Sequence, residues 1–163
     1  EDTFKLKERL KGVRGITFRF EHGFVLGGFR MTRQEKAYGR LSSTGYSMIT
    51  GDTYTERTDG IYGIGNNVDI EFTGMNFMEG VSTLTITGQA RTANPIHVRF
   101  FKGDDVVKQV FEFPVTGQIE TVTLPIEGFA GSGKVNFIFL PGTDFDFIDF
   151  QFGKGNDNGG EEQ

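Results

Sequence analysis

The sequence predicts an all-β chain, folded as a two-sheet antiparallel β-sandwich of the jelly-roll type, and three observations carry that expectation. Apolar and polar residues alternate at period two through most of the chain, 18 Phe and no Trp supply the apolar volume, and 24 Gly with 4 Pro punctuate the runs. Alternation turns one face of each segment to a core and the other to solvent, and regular breaks mark hairpins and loops. A length of 163 residues suits one domain with a sizeable core.

In chain order, residues 4–11 alone show helical spacing, with Phe4, Leu6 and Leu10 among Lys and Glu, and read as a short lead-in. Ile16, Phe18 and Phe20 alternate with Thr17, Arg19 and Glu21, an opening strand. The stretch 33–59 is too polar for a core yet carries Tyr38, Tyr46 and Tyr54. Leu84 and Ile86 alternate with Thr83, Thr85 and Thr87, and further strands are expected at 96–101, 106–113, 119–124 and 134–140. The Gly-rich segment 128–135 separates the last two and reads as a hairpin turn. Residues 145–152, FDFIDFQF, change register between Phe147 and Ile148, which predicts a bulge. The tail after Phe152 has no apolar residue and reads as a disordered linker. The domain partition expected is 1–14 lead-in, 15–153 sandwich and 154–163 tail, with about nine to eleven strands in all. The chain starts without Met and reads as an excised or processed piece.

Composition excludes several functions. Without Cys there is no disulfide framework and no cysteine nucleophile, and two His do not make a multi-histidine metal cluster. A net charge of −5 opposes general phosphate binding, so nucleic acid is not expected as a partner. No apolar run approaches the roughly 20 residues that a spanning helix needs, so no membrane insertion is expected. GFAGSGKV at 128–135 has the glycines and Lys134 of a phosphate loop, but Val135 stands where Ser or Thr should meet magnesium, and a strand follows where a helix is required. GIYGIGNN at 60–67 is likewise followed by a strand. The acids Asp52, Glu56, Asp59, Glu71, Asp144, Asp146 and Asp149 read as solvated turn acids rather than a glycosidase pair, so the chain is not expected to be an enzyme.

Residues 114–152 carry a resemblance. Thr116-Gly117, Val122-Thr123-Leu124-Pro125, Gly133, the run 135–139 and Ile148-Asp149-Phe150-Gln151-Phe152 follow the order of elements in the C-terminal half of family 6 carbohydrate-binding modules. Residues 60–72 and 17–23 are similar to that family's loop-to-strand segment and opening strand. The runs 20–32, 63–67, 96–101 and LPGTDFDF resemble more closely the sandwich modules appended to family 2 β-galactosidases, including family 71 modules. The resemblance implies a galactose-binding-domain-like jelly roll and a non-catalytic module for terminal β-galactosides of the lactose or N-acetyllactosamine type. It also implies a parent glycoside hydrolase in cis, a monomeric isolated module, and an extracellular or bacterial cell-surface setting. A structural spacer domain without a sugar site is the alternative.

Two departures bear on mechanism: Ile119 stands where the family has a cleft-closing Trp, and Phe147 where it has a polar Asn. A sugar is held by an aromatic face against its C–H groups and by hydrogen bonds to its hydroxyls. Tyr62, Asn66 and Asn67 are the residues that could rebuild such a site, although the two Asn could equally shape a left-handed turn. Tyr46 and Tyr54 are further platform candidates, with packing on the sandwich edge as the alternative. Arg30, Arg91, His97 and Arg99 could donate to hydroxyls or serve as surface charge. The resemblance further implies one structural calcium held by Glu21 and Asp149, which would tie the two ends of the chain together.

Overall fold

The computed structural model describes residues 17–19, 23, 26–29 and 36–155. The chain divides into two compact units, Glu1–Thr32 and Arg33–Gln163. In the first, the rings of Phe18 and Phe29 lie 4.9 Å apart. Residues 17–19 carry no strand, contrary to the opening strand expected there, while Glu21, Arg30 and the lead-in at 4–11 fall outside the described residues.

Among its described residues the second unit has nine strands, with two 3-10 turns at Lys36–Tyr38 and Ser43–Gly45. The strands are β1 (Leu41–Ser42), β2 (Met48–Thr50), β3 (Thr55–Arg57), β4 (Gly60–Ile64), β5 (Val68–Ala90), β6 (Ile96–Lys102), β7 (Asp105–Phe111), β8 (Glu120–Phe139) and β9 (Phe145–Lys154). Every ladder between them is antiparallel. The polar stretch at 33–59 therefore supplies both turns and three short strands.

Two strands are long enough to serve both layers of the sandwich. The first part of β5, 68–77, pairs with β2 on one side and with the end of β8 on the other, and β8 continues to β6 and β7. The second part of β5, 81–90, pairs with the start of β8 and with β9, which carries β1 and the β3–β4 hairpin. Register shifts between Phe72/Met75, Phe77/Val81 and Val81/Thr83 mark the bend. Segment 128–135 is thus not a hairpin turn. It is the bend of a continuous β8, which joins the strands expected separately at 119–124 and 134–140. Gly133 is required there by close approach, since a Cβ would fall onto the carbonyl oxygen of Phe101.

Phenylalanine joins the layers. Val135, Phe137 and Phe139 of β8 point inward with no exposure, as do Val98 and Phe100 of β6. Phe137 meets Phe150 at 4.7 Å and Phe147 at 5.1 Å across the sandwich, and Phe77 meets Phe152 at 5.0 Å. Such ring pairs contribute about 0.5–1.5 kcal/mol each beyond their buried area. The expected bulge in β9 is present: Thr87 faces Asp149 but Gly88 faces Phe147, which leaves Ile148 as the extra residue. That insertion restores the inward phase, so Phe145, Phe147, Phe150 and Phe152 are all buried and Ile148 is not.

Along the side of the sandwich, Gln109 of β7 donates from Nε2 to the Glu127 carbonyl (2.7 Å) and accepts the Glu127 N–H at Oε1 (3.2 Å). A side-chain amide thus replaces a strand partner for β8.

Gly133→Ala is expected to destabilise the fold by about 2–3 kcal/mol, because backbone must move to admit one methyl group. Gly128→Ala in the same strand meets open space and should leave stability nearly unchanged. Urea denaturation of the two variants checks the contrast, and equal midpoints would contradict the bend described here.

Candidate functional site

The exit of β5 and the entry of β9 lie together at one end of the sandwich. The ladder closes with Gln89 opposite Asp146 and Ala90 opposite Phe145, and the Arg91 N–H donates to the Asp144 carbonyl at 2.8 Å. On the other side of β9, Ile61 faces Phe147 and Ile64 faces Phe145, so Tyr62 and Gly63 oppose the single residue Asp146. Gly63 adopts φ +58°, and its N–H donates to Asp146 Oδ1 at 2.8 Å. The local bulge is what aims a backbone donor at a side-chain carboxylate.

Arg91 completes the cluster. Its Nη2 donates to Asp146 Oδ2 at 2.6 Å and to Gln89 Oε1 at 3.1 Å, and its Nη1 to Asp144 Oδ1 at 3.1 Å. Gln89 donates weakly to the Thr116 carbonyl at 3.4 Å, and the Thr116 N–H donates to the Ala90 carbonyl. Asp146 is 5% exposed while the Arg91 side chain is 42% exposed, so the pair is half in the protein and half in water. Burial alone would raise the Asp146 pKa. The hydrogen bonds from Arg91 and Gly63, with the charges of Arg91 and Arg57, outweigh it and lower the pKa. The Arg91 guanidinium is held more strongly protonated by its hydrogen bonds to Asp146 and Asp144.

Tyr62 stands beside this cluster, half-buried. Arg57 covers its ring at 4.4 Å, and its hydroxyl donates to Asp59 Oδ2 at 3.0 Å. Burial, then the hydrogen bond to Asp59, raise its pKa. Ile119 lies one residue before the first ladder partner Glu120 and is 44% exposed, an uncovered apolar side chain along from Gln89. The arrangement offers a partly covered aromatic plate, cationic donors, carboxylate and amide acceptors, and an apolar neighbour within one surface region.

The other expected residues lie elsewhere. Asn66 and Asn67 form the β4–β5 turn, Asn67 at φ +47°, with the Asn66 carbonyl accepting the Asp52 N–H at 3.4 Å. Tyr46 and Tyr54 pack partly buried against the core, and the Tyr46 hydroxyl donates to Glu56 Oε2 at 2.8 Å, which raises its pKa. His97 projects from the outer face of β6 between Val110 and Ile138. Of the expected site residues, Arg91 bonds the Asp146 carboxylate and Tyr62 stands next to Gly63, whose N–H bonds its other oxygen. Gln89, Asp144 and Asp146 were not singled out as ligand residues. The signal that could have found them is an acid at each side of a strand's first Phe, in DFDF.

The expected calcium ligand Asp149 holds a cation of another kind: Arg40 Nη2 donates to its Oδ2 at 2.6 Å. Among the described residues no group of three or more acids or histidines could hold a metal ion. The other expected ligand, Glu21, lies outside the described residues. No helix among the described residues is long and apolar enough to cross a membrane. A concavity of about 480 Å³ opens at the β5–β8 bend, lined by Val81, Ile126, Phe129 and Ala130 among others; none of the candidate residues lines it.

No protein-family model and no curated protein matches the chain. Solved structures do match. A family 6 carbohydrate-binding module studied by sub-site dissection is 16% identical over 73% of this chain and 95% of its own, with a TM-score of 0.62. A family 6 module from Clostridium stercorarium in complex with cellobiose is 18% identical over 73% of this chain and 95% of its own, with a TM-score of 0.59. One from Clostridium cellulolyticum in complex with xylose is 17% identical over 72% and 98%, with a TM-score of 0.60. A Bacillus subtilis arabinoxylan arabinofuranohydrolase of family 43 matches over 28% of its own chain at a TM-score of 0.58. The likeness shows the fold: the chain has the β-sandwich of family 6 modules.

Asp146→Asn should destabilise the protein by about 1–3 kcal/mol at neutral pH, since charge-assisted bonds weaken but part of the pair is solvated. A lowered pKa means the carboxylate's contribution is complete above its ordinary 3.8 and is lost as pH falls through the lowered value. The melting temperatures of the two proteins should therefore converge in acid. A constant difference from pH 7 down to 2 would contradict this linkage.

Proposed function

We propose that the chain is a non-catalytic carbohydrate-binding module that recognises terminal β-galactosides through the end of the sandwich where Arg91 and the Gly63 N–H, beside Tyr62, converge on Asp146. The observation that carries this reading is that convergence, on a fold shared with modules solved with cellobiose and xylose. A galactoside presents an axial 4-hydroxyl and a C–H patch. Arg91, Gln89 and the exposed Asp144 supply donors and acceptors for the first, and the half-buried ring of Tyr62, with Ile119, supplies contact for the second. One shallow site without Trp implies an affinity of about 0.1–1 mM, or roughly −4 to −5.5 kcal/mol. Linkage to a glycoside hydrolase in cis raises the effective concentration and makes such affinity useful. The match to part of a hydrolase chain supports that setting. The same proposal includes a monomeric module at 15–153 and an extracellular or cell-surface location.

A spacer domain without a sugar site is the second reading. It is favoured by one observation: Arg91 and Asp146 already satisfy each other, and Arg57 already occupies one face of Tyr62. Structural calcium at Glu21 and Asp149 is carried as a separate proposal, under the condition that the ion displaces Arg40. Chelator should then lower the melting temperature, and an unchanged melt with and without calcium would reject it.

Calorimetric titration with lactose, N-acetyllactosamine, glucose and xylose tests the galactoside reading. Heat for the first two alone is expected, abolished in Tyr62→Ala. Asn67→Gly preserves the left-handed turn while removing the amide, so it separates a ligand contact from a backbone role. Equal heats for all four sugars would reject galactose selectivity, and no heat for any would favour the spacer.

A further inference from the structure

The outer face of the β8–β6–β7 layer is a regular grid. Along β6 the outward residues are His97, Arg99 and Phe101; they stand beside Val110, Lys108 and Val106 of β7 and beside Ile138, Asn136 and Lys134 of β8. Its middle row places Arg99 directly opposite Lys108. Like charges facing each other across a strand pair destabilise it, and they do so here in a chain of net charge −5.

The acids of the same face do not neutralise this row. Glu71 of β5 takes Lys134 at 2.6 Å, and Asp69 accepts from Asn136 Nδ2 at 2.7 Å. Neither the Arg99 nor the Lys108 side chain has an ion-pair or hydrogen-bond partner among the described residues, and both residues are exposed. Asn136, in the same row, is 6% exposed, and its Oδ1 is buried without a donor. The neighbouring rows add apolar contact: Val110, 56% exposed, stands beside His97, and Val106, 40% exposed, beside Phe101, whose ring lies 4.9 Å from Lys134 Nζ.

We propose that this face binds an anionic glycan, with the carboxylate or sulfate of an acidic sugar on Arg99 and Lys108. The ring's C–H groups then lie on the valines and Phe101. Guanidinium and ammonium groups bind such oxyanions through charge-assisted hydrogen bonds, and removing the pair costs at least about tenfold in affinity. The inference rests on the carbohydrate-binding reading but uses a different surface from the Tyr62 end.

Affinity electrophoresis of the whole chain in gels containing polygalacturonate, sulfated carrageenan or neutral β-1,4-galactan tests it. Retardation is expected in one or both acidic gels, weakened by added salt. The acidic gel that retards the chain identifies carboxylate or sulfate ester as the preferred anion. Arg99→Gln/Lys108→Gln should abolish that retardation and leave lactose heats unchanged. Lys108→Glu should abolish it too while raising the melting temperature, because a repulsive cross-strand pair becomes attractive. Equal mobility in acidic and neutral gels, retention of the shift in the double variant, or an equal shift in a gel containing duplex DNA would overturn the proposal. Loss of lactose heat with the acidic shift intact would overturn the galactoside reading alone.

Discussion

The fold depends on one constraint: β5 and β8 stay hydrogen-bonded to each other while both pass from one layer of the sandwich to the other. A flat pair of strands of 23 and 20 residues would expose both faces, so the pair must bend, and the bend must conserve which side chains point inward. Glycines and register shifts at the bend perform the first task. Phenylalanine performs the second, since Phe137 on one layer packs on Phe147 and Phe150 of the other. The sheet is thereby folded onto itself around rings, and its two ends are left to loops.

Much of this was legible in the sequence, because alternation is a local property. The strands at β6, β7 and β9 and the bulge at Ile148 follow from period two and from one break in its phase. Continuity of β8 was not legible. Glycines at 128, 131 and 133 look the same in a turn as in a bend, and only the partner strand distinguishes them, through Gly133 against Phe101. Tyr62 and Arg91 stood out by chemistry. Asp146 did not, because it reads as one of seven solvated turn acids, and its burial arises from a bulge in β4 that has no sequence signature of its own. The Arg40–Asp149 pair spans 109 positions and was invisible to any local pattern.

Electrostatics at the sandwich end and on the outer face follow opposite designs. At the end, Asp146 is buried with each oxygen accepting a hydrogen bond, so its charge is stabilised by the protein alone. On the outer face, Glu71 and Asp69 are satisfied while Arg99 and Lys108 are left to solvent. The first arrangement rigidifies the junction of β4, β5 and β9. The second keeps its cations available at little reorganisation cost.

The amide clamp of Gln109 on Glu127 has a consequence for solution behaviour. The start of β8 pairs with β5 on one side, and among the described residues no strand pairs with its other side, which is a template onto which a foreign strand could add. Gln109 occupies both backbone groups of Glu127 on that edge, and two residues earlier Pro125 has no N–H to offer. A side-chain amide over one residue and a proline that cannot donate thus act together against strand addition on this stretch of edge, beside the exposed charge of Glu127 itself.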